Sequence, residues 1–186
     1  EHGAAAMNVV IESDGFEVEL DGALAGFISF EHEPSTDAQK AEVKEMAAKF
    51  GQADNLFKAP AAAGCKVQEI SLESEALPAE LLAPYAADLD EGHSHSHGDH
   101  GHSHGPDEGD HDHDHDHDHD DDEAGHGHAD LEASFEFKCS KPGALASIEV
   151  GLFESFPALE ELRVQVLSPR GQSAAELTKA SPLLKW

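Results

Sequence analysis

The residues that could do chemistry are concentrated in one tract, residues 93–128, which reads HSHSHGDHGHSHGPDEGDHDHDHDHDHDDDEAGHGH. The tract holds 13 of the 15 histidines and 12 of the 39 acidic residues, with no Lys, no Arg and no apolar residue larger than Ala. Neutral imidazoles beside carboxylates are ligands that suit Zn²⁺ and its divalent neighbours. A segment with nothing to bury cannot offset the entropy of ordering its backbone. The composition therefore predicts a flexible metal-collecting loop.

Alternation within the tract sets how its histidines could share a metal ion. In an extended chain alternate residues point the same way, so His111, His113 and His115 can lie on one side. At three or four ligands per ion, the tract could hold about three to five zinc ions. Because the pKa of imidazole is about 6.5, protons should displace the metal below pH about 6. The candidate ligands in the body of the tract are His93, His95, His97, His100, His102, His104, His111, His113, His115, His117 and His119.

The identity of the metal and the class of protein stay open at this level. Imidazole binds Zn²⁺, Cu²⁺ and Ni²⁺ alike, so a protein that buffers Cu²⁺ or Ni²⁺ is an alternative to a zinc-binding protein. A β-rich assembly or adhesion module with a solubilising acidic loop is another alternative. No HExxH or Gly-x-Ser-x-Gly pattern is present, and we therefore predict that the protein is not an enzyme.

A second, structured metal site could form outside the body of the tract. Only His2 and His32 lie outside the tract, and His32 stands between two glutamates just before Pro34. His126 and His128 lie where the tract meets a predicted strand. Some combination of these four histidines could form a closed or three-ligand site, although His32 could equally be an ordinary surface residue at a strand end.

Charge and cysteine usage restrict the partners and the compartment. The net charge of −28 repels nucleic acid and anionic lipid and attracts cations. No apolar run is long enough for a membrane helix, and a chain that starts at Glu1 is expected to be a processed or trimmed form. Cys65 and Cys139 flank the tract. They could be buried thiols or, since both adjoin predicted strands, a disulfide, which would imply an oxidising compartment.

The remaining residues predict an α+β fold, mostly antiparallel β-sheet with one long helix. Residues 7–22 resemble a hairpin around an Asp14-Gly15 turn, and residues 25–30 a third strand. Thr36 and Gln39 have capping-box spacing for a helix that ends at Gly51, whose outer face, including Glu42, is expected to be simply solvated. Strands are predicted over 67–72 and 131–139, with others near 148–152 and 162–166. We expect one zinc-binding domain over residues 1–186, interrupted by a disordered His/Asp-rich loop at about 88–128.

The ordered residues resemble the zinc-regulated periplasmic zinc-binding protein family of Gram-negative bacteria typified by ZrgA. This resemblance implies a periplasmic protein made under zinc limitation that binds several Zn²⁺ ions, assists zinc acquisition and works with a zinc-import component. It also implies a Cys65–Cys139 disulfide and supports His2, His32, His126 and His128 as ligands. The segments that carry the resemblance are His2-Gly3, Gly26-Phe27, Phe30-Glu31-His32-Glu33-Pro34, Leu56-Phe57, Cys65, His128-Ala129-Asp130, Phe135-Glu136-Phe137-Lys138-Cys139, Leu152-Phe153-Glu154-Ser155-Phe156-Pro157 and Gly171-Gln172.

Overall fold

Strands dominate the chain, and a single helix is longer than four residues among those described. The computed structural model describes residues 3–86 and 129–186. The strands are β1 (Ala4–Ile11), β2 (Gly15–Ala23), β3 (Phe57–Lys58), β4 (Cys65–Glu73), β5 (Asp130–Cys139), β6 (Ser147–Val150), β7 (Glu161–Ser168), β8 (Gly171–Thr178) and β9 (Leu183–Lys185). The helices are α1 (Asp37–Phe50), α2 (Ala53–Leu56), α3 (Ala79–Leu82) and α4 (Leu152–Ser155). The predicted α+β class with mainly antiparallel sheet is confirmed.

Six strands form the larger sheet, in the order β4-β5-β2-β1-β7-β8. Every neighbouring pair is antiparallel except β1 and β7, which run parallel in the interior of the sheet. The sheet draws β1, β2 and β4 from one side of the undescribed stretch and β5, β7 and β8 from the other. A smaller sheet pairs β3, β6 and β9.

The predicted hairpin is confirmed, but its turn differs from the predicted one. Ile11 is the last residue of β1 to pair, and its partner is Phe16, so four residues close the hairpin. The Glu12 N–H donates to the Gly15 carbonyl at 2.9 Å. Gly15 already belongs to β2, where it pairs with Lys138 of β5, and its φ is not positive. The prediction of a two-residue Asp14-Gly15 turn was therefore wrong.

The segment after β2 is a compact turn rather than the predicted third strand over 25–30. A 3-10 helix spans Leu24–Gly26, and the N–H groups of Phe27 and Ile28 both donate to the Leu24 carbonyl. Leu24, Phe27 and Ile28 are all buried. Their spacing of three and four residues puts them on one side of a turn, whereas a half-buried strand would alternate.

Helix α1 begins at the predicted capping box. The Thr36 hydroxyl accepts from the Gln39 N–H, and the Gln39 side chain accepts from the Thr36 N–H. Its buried face carries Val43, Met46, Ala47 and Phe50. Gly51 caps the other end with a right-handed φ of −60°. Gly51 therefore does not form the left-handed cap that is typical of glycine at a helix end. A Cβ there would meet the Tyr85 side chain, which would have to shift.

An aromatic cluster joins α1 to the inner face of the larger sheet. The ring of Phe50 lies 4.7 Å from Phe156 and 6.0 Å from Phe135, centroid to centroid. Phe57 packs at 4.9 Å on Phe135, and Phe16 stacks on Phe137 at 4.4 Å. Burial of each ring contributes about 1.5–3 kcal/mol, so this cluster fixes α1 against the sheet.

The predicted disulfide is confirmed. Cys65 of β4 and Cys139 of β5 are directly opposite each other in the sheet, and their sulfur atoms are bonded. The bond therefore links the strand before the tract to the strand after it. No helix among the described residues is long and apolar enough to cross a membrane.

Candidate metal-binding site

His32 is the one predicted metal ligand that lies within the described residues. Its ring is exposed and lies 5.2 Å from the Phe30 ring. Nδ1 lies 2.9 Å from the backbone carbonyl of Glu33. Because a carbonyl oxygen only accepts, this contact favours the tautomer of the neutral ring in which Nδ1 carries the proton and Nε2 keeps its lone pair. Metal-bound histidines commonly donate their second ring N–H in this way, which fixes the ring for coordination.

Helix α1 holds both ends of the irregular segment that carries His32. The Glu42 carboxylate accepts from the Ser29 N–H at 2.6 Å and from the Ser29 hydroxyl at 2.8 Å. On the other side, Gln39 Oε1 accepts from the Ser35 N–H at 2.9 Å. The surrounding Phe30 and Pro34 are buried. His32 is therefore displayed on a short, anchored segment.

Glu42 is the residue in this region whose role sequence reasoning missed. It was expected to lie on a simply solvated face of α1, whereas it is half-buried and holds Ser29. Ser29 and Glu42 are 13 residues apart, so no local pattern connects them. The irregular segment between Ser29 and the start of α1 folds back so that the two residues meet.

The chain neighbours of two other predicted ligands lie at one end of the larger sheet. Gly3 immediately precedes β1, and Ala5 pairs with Gly22 near the end of β2. On the other side of β2, the Leu24 N–H donates to the Ala129 carbonyl at 2.8 Å. Since neighbouring strands lie about 4.8 Å apart, Gly3 and Ala129 are separated by about 10 Å. The segment that leads to His32 leaves β2 at this same end.

The other predicted ligands lie outside the described residues. These are His2, His126, His128 and the tract histidines, so the set of ligands stays a prediction. Within 3–86 and 129–186, no three His, Cys, Asp or Glu side chains are placed to hold a metal ion. His32 alone could therefore supply only one of the ligands of such a site.

The outer face of the larger sheet is acidic. Glu136 of β5 is opposite Glu17 of β2 on one side and Glu69 of β4 on the other. Four residues further along β5, Glu132 lies between Asp21 and Glu73 in the same way. With Glu19 between these rows, seven carboxylates cover three neighbouring strands. Such a surface raises the local concentration of cations without coordinating one.

One lysine partly neutralises the edge of this acidic surface. Lys138 Nζ lies 3.2 Å from Glu136, 3.3 Å from Asp14 and 3.5 Å from Glu12. The hydrogen bond to Glu136, followed by the contacts with Asp14, raises the pKa of Lys138 above its ordinary value. The ammonium group therefore ties the hairpin turn to β5.

Comparison with known proteins identifies a family for the entire chain. The model of the family described as "ZrgA family zinc uptake protein" matches residues 1–186. No curated protein matches the chain. The match covers the described residues and the histidine tract together.

Proposed function

This chain belongs to the ZrgA family of zinc uptake proteins, and we propose that it is a periplasmic zinc-binding protein that assists zinc acquisition. In this proposal, the histidine tract captures several Zn²⁺ ions and a structured site that includes His32 binds one more. The protein acts by binding rather than by catalysis, and it delivers zinc to a periplasmic import component. The tract is an insertion at about residues 88–128 in a single domain of residues 1–186.

The observation that best supports a structured site is the hydrogen bond from His32 Nδ1 to the Glu33 carbonyl. It leaves Nε2 as an exposed lone-pair donor on a segment that Glu42 and Gln39 hold in place. A ring held this way loses little conformational entropy when it binds a metal ion. His32 therefore has the features of a prepared ligand.

The partners of His32 in this site would come from the histidines next to Gly3 and Ala129. His2 directly precedes Gly3, and His128 directly precedes Ala129. Gly3 and Ala129 are separated by about 10 Å, a spacing compatible with imidazoles on the preceding residues binding one ion, since each bond to zinc is about 2.0 Å long. His126 is a further candidate two residues earlier. Three such ligands would suffice for a zinc site that can release its ion.

The disulfide supports the proposed compartment. Disulfides persist in oxidising environments such as the periplasm and are rare in the cytosol. Cys65 and Cys139 are bonded to each other, and neither is left as a free thiol. A zinc carrier without free thiols would also keep zinc on imidazole and carboxylate ligands, from which protons can displace it.

Competitive zinc calorimetry at pH about 7.5 tests both parts of the proposal. The intact protein should bind several Zn²⁺ ions, and a variant that lacks residues 93–125 should retain one tight site. His32→Ala in that variant should weaken this site by at least about tenfold, because one of about four ligands is lost. Gln165→Ala, which removes an exposed neutral side chain on β7, is the matched control and should change nothing.

Two outcomes would contradict the proposal in different places. Unchanged stoichiometry after deletion of residues 93–125 would exclude the tract as the zinc store. A shortened protein that binds no zinc, yet unfolds at the same temperature as the intact protein, would exclude the structured site. Production of the protein under zinc starvation rather than under metal surplus would separate zinc capture from the buffering of Cu²⁺ or Ni²⁺. Competition between metals would not, because intrinsic affinity rises toward Cu²⁺ whichever metal the site serves.

A further inference from the structure

Strand β8 forms one edge of the larger sheet and leaves backbone groups without a partner among the described residues. The Thr178 N–H and carbonyl both bond to Ser181, on the side away from β7. Backbone direction alternates along a strand, so Gln172, Ala174 and Glu176 also point their N–H and carbonyl groups away from β7. These three residues offer a free hydrogen-bonding edge.

The opposite edge of the sheet, β4, is protected against pairing. A bulge interrupts it between Val67 and Glu69. The Val67 N–H donates to the Asp54 carboxylate, and the Leu72 N–H donates to the Tyr85 carbonyl. Natural sheets use bulges, charges and covering segments in this way to prevent association through an edge. In β8 the stretch Gly171–Thr178 has no bulge, no proline and a single charged residue, Glu176.

Exposed apolar side chains flank the same strand. Among the described residues, the two strongly exposed large apolar side chains are Leu167 at 49% and Leu183 at 44%. Leu167 pairs with Gln172 near the start of β8. Leu183 comes after the turn at the end of β8 and is the first residue of β9. If two β8 strands pair antiparallel, the start of one strand lies beside the end of the other. The end that carries Leu167 in one copy then lies near the end that carries Leu183 in its partner.

The charge distribution of the chain opposes association at this edge less than it does elsewhere. Residues 161–186 contain four basic and two acidic residues, a net charge of +2, whereas the rest of the chain carries −30. Two copies that meet through β8 therefore approach through their least acidic part. The overall charge still opposes association at long range, and salt would screen that repulsion.

We propose that two copies of this chain associate through their β8 strands, which pair antiparallel about Ala174. In this register Ala174 is opposite Ala174 of the second copy, and Gln172 is opposite its Glu176. Each such pair exchanges two backbone hydrogen bonds. The register avoids opposing glutamates, which a shift that centred the pair on Glu176 would create. The contact is small, so the dimer forms reversibly as concentration rises.

Sedimentation equilibrium of the full chain with a metal chelator tests this proposal, because the chelator excludes bridging by zinc. Dimer should appear at concentrations of about 10–300 µM and become more stable as salt increases. Ala174→Pro removes an outward N–H without breaking the bonds to β7, a position where edge strands tolerate proline. We expect it to weaken dimerisation by at least about tenfold, since bonds at the centre of the pairing are lost. Ala174→Ser keeps the N–H and should dimerise like the original.

Hydrogen exchange gives a second readout that does not depend on a variant. The amides of Gln172, Ala174 and Glu176 should exchange more slowly as concentration rises, whereas those of Ser173 and Ala175, which face β7, should not change. A monomer throughout this range would overturn the proposal. A dimer unaffected by Ala174→Pro, or one that protects other amides, would overturn it as well.

Discussion

At the scale of single residues, Gly15 shows how one position can carry two different signals. Following Asp14, it has the sequence of a tight turn, but its backbone is extended and it is the first residue of β2. A Cβ there would collide with the Phe137 carbonyl oxygen and lie 2.9 Å from the Phe137 carbonyl carbon. Glycine is required by the close approach of β5, not by the conformation of a turn.

Gly15→Ala should therefore destabilise the protein although the backbone angles suit alanine. The clash is with backbone atoms, which cannot rotate away, and we expect a loss of at least about 2 kcal/mol in the free energy of unfolding. Gly143→Ala is the matched control, because a Cβ at Gly143 meets nothing within 4 Å and its φ is not positive. Urea denaturation of both variants measures the difference; equal stabilities would mean that β5 can move away.

Residue-level prediction from sequence succeeded where the physical cause is local. The capping box of Thr36 and Gln39 depends on residues three apart, and the sequence identified it. Glu42 and Gly51 were misjudged because their partners, Ser29 and Tyr85, lie far along the chain. Rules based on the spacing of residues along the sequence cannot predict such contacts.

At the scale of elements, β5 has a charge arrangement that costs stability. Its Glu132 is directly opposite Asp21 on one side and Glu73 on the other. Like charges in opposing positions on neighbouring strands are destabilising. The strand over 131–139 was predicted correctly, but its two neighbours could not be predicted, so the rows of carboxylates were not foreseen.

Glu132→Gln should stabilise the protein at low ionic strength. It removes two repulsive pairs and keeps the shape of the side chain, so the free energy of unfolding should rise by about 0.2–1 kcal/mol. The gain should shrink in high salt, which screens exposed charges. Thermal unfolding at two salt concentrations measures it, with Glu154→Gln, an exposed glutamate outside this face, as the control. A stabilisation that salt does not reduce would contradict the electrostatic cause.

The pairing of β1 with β7 marks the limit of prediction for elements. Both strands were predicted, one as part of the hairpin and the other near residues 162–166, but their paired residues lie 157 positions apart and the strands run parallel. A pattern of alternation specifies which face is buried and says nothing about the neighbouring strand. The parallel pairing of β1 with β7 was missed for this reason.

At the scale of the molecule, the disulfide closes the longest stretch of chain that leaves the sheet and returns to it. Cys65 and Cys139 are 74 residues apart, and the bond spans the whole tract. In the chain-entropy model, closing a loop of that length stabilises the fold by about 4.5 kcal/mol. The tract would otherwise make β4 and β5 costly to bring together.

Replacement of both cysteines by serine should lower the free energy of unfolding by about 2–5 kcal/mol. Urea unfolding measures the loss, and a reductant should produce a similar loss in the original protein and none in the double variant. A double variant as stable as the original would mean that pairing of β4 with β5 alone accounts for the stability of this region.

The candidate site was predictable in its chemistry and less so in its geometry. Histidine content alone predicted a metal-binding tract, because composition determines which ligands are available. The orientation of His32 depends on the Glu33 carbonyl and on Glu42, which act through the folded backbone. The sequence shows which ligand residues are present, but only the folded structure shows where their donor atoms point.

A protease that cut the chain anywhere between residues 88 and 127 would still leave one molecule. Cys65 belongs to the fragment before the cut and Cys139 to the fragment after it, and the bond between them would hold the fragments together. The two pieces would also continue to share one sheet, since β4 and β5 pair along most of their length. Nicked protein would run as a single band on a denaturing gel without reductant and as two bands with it. Proteolysis in the cell could thus cut the tract and leave the folded part of the protein intact.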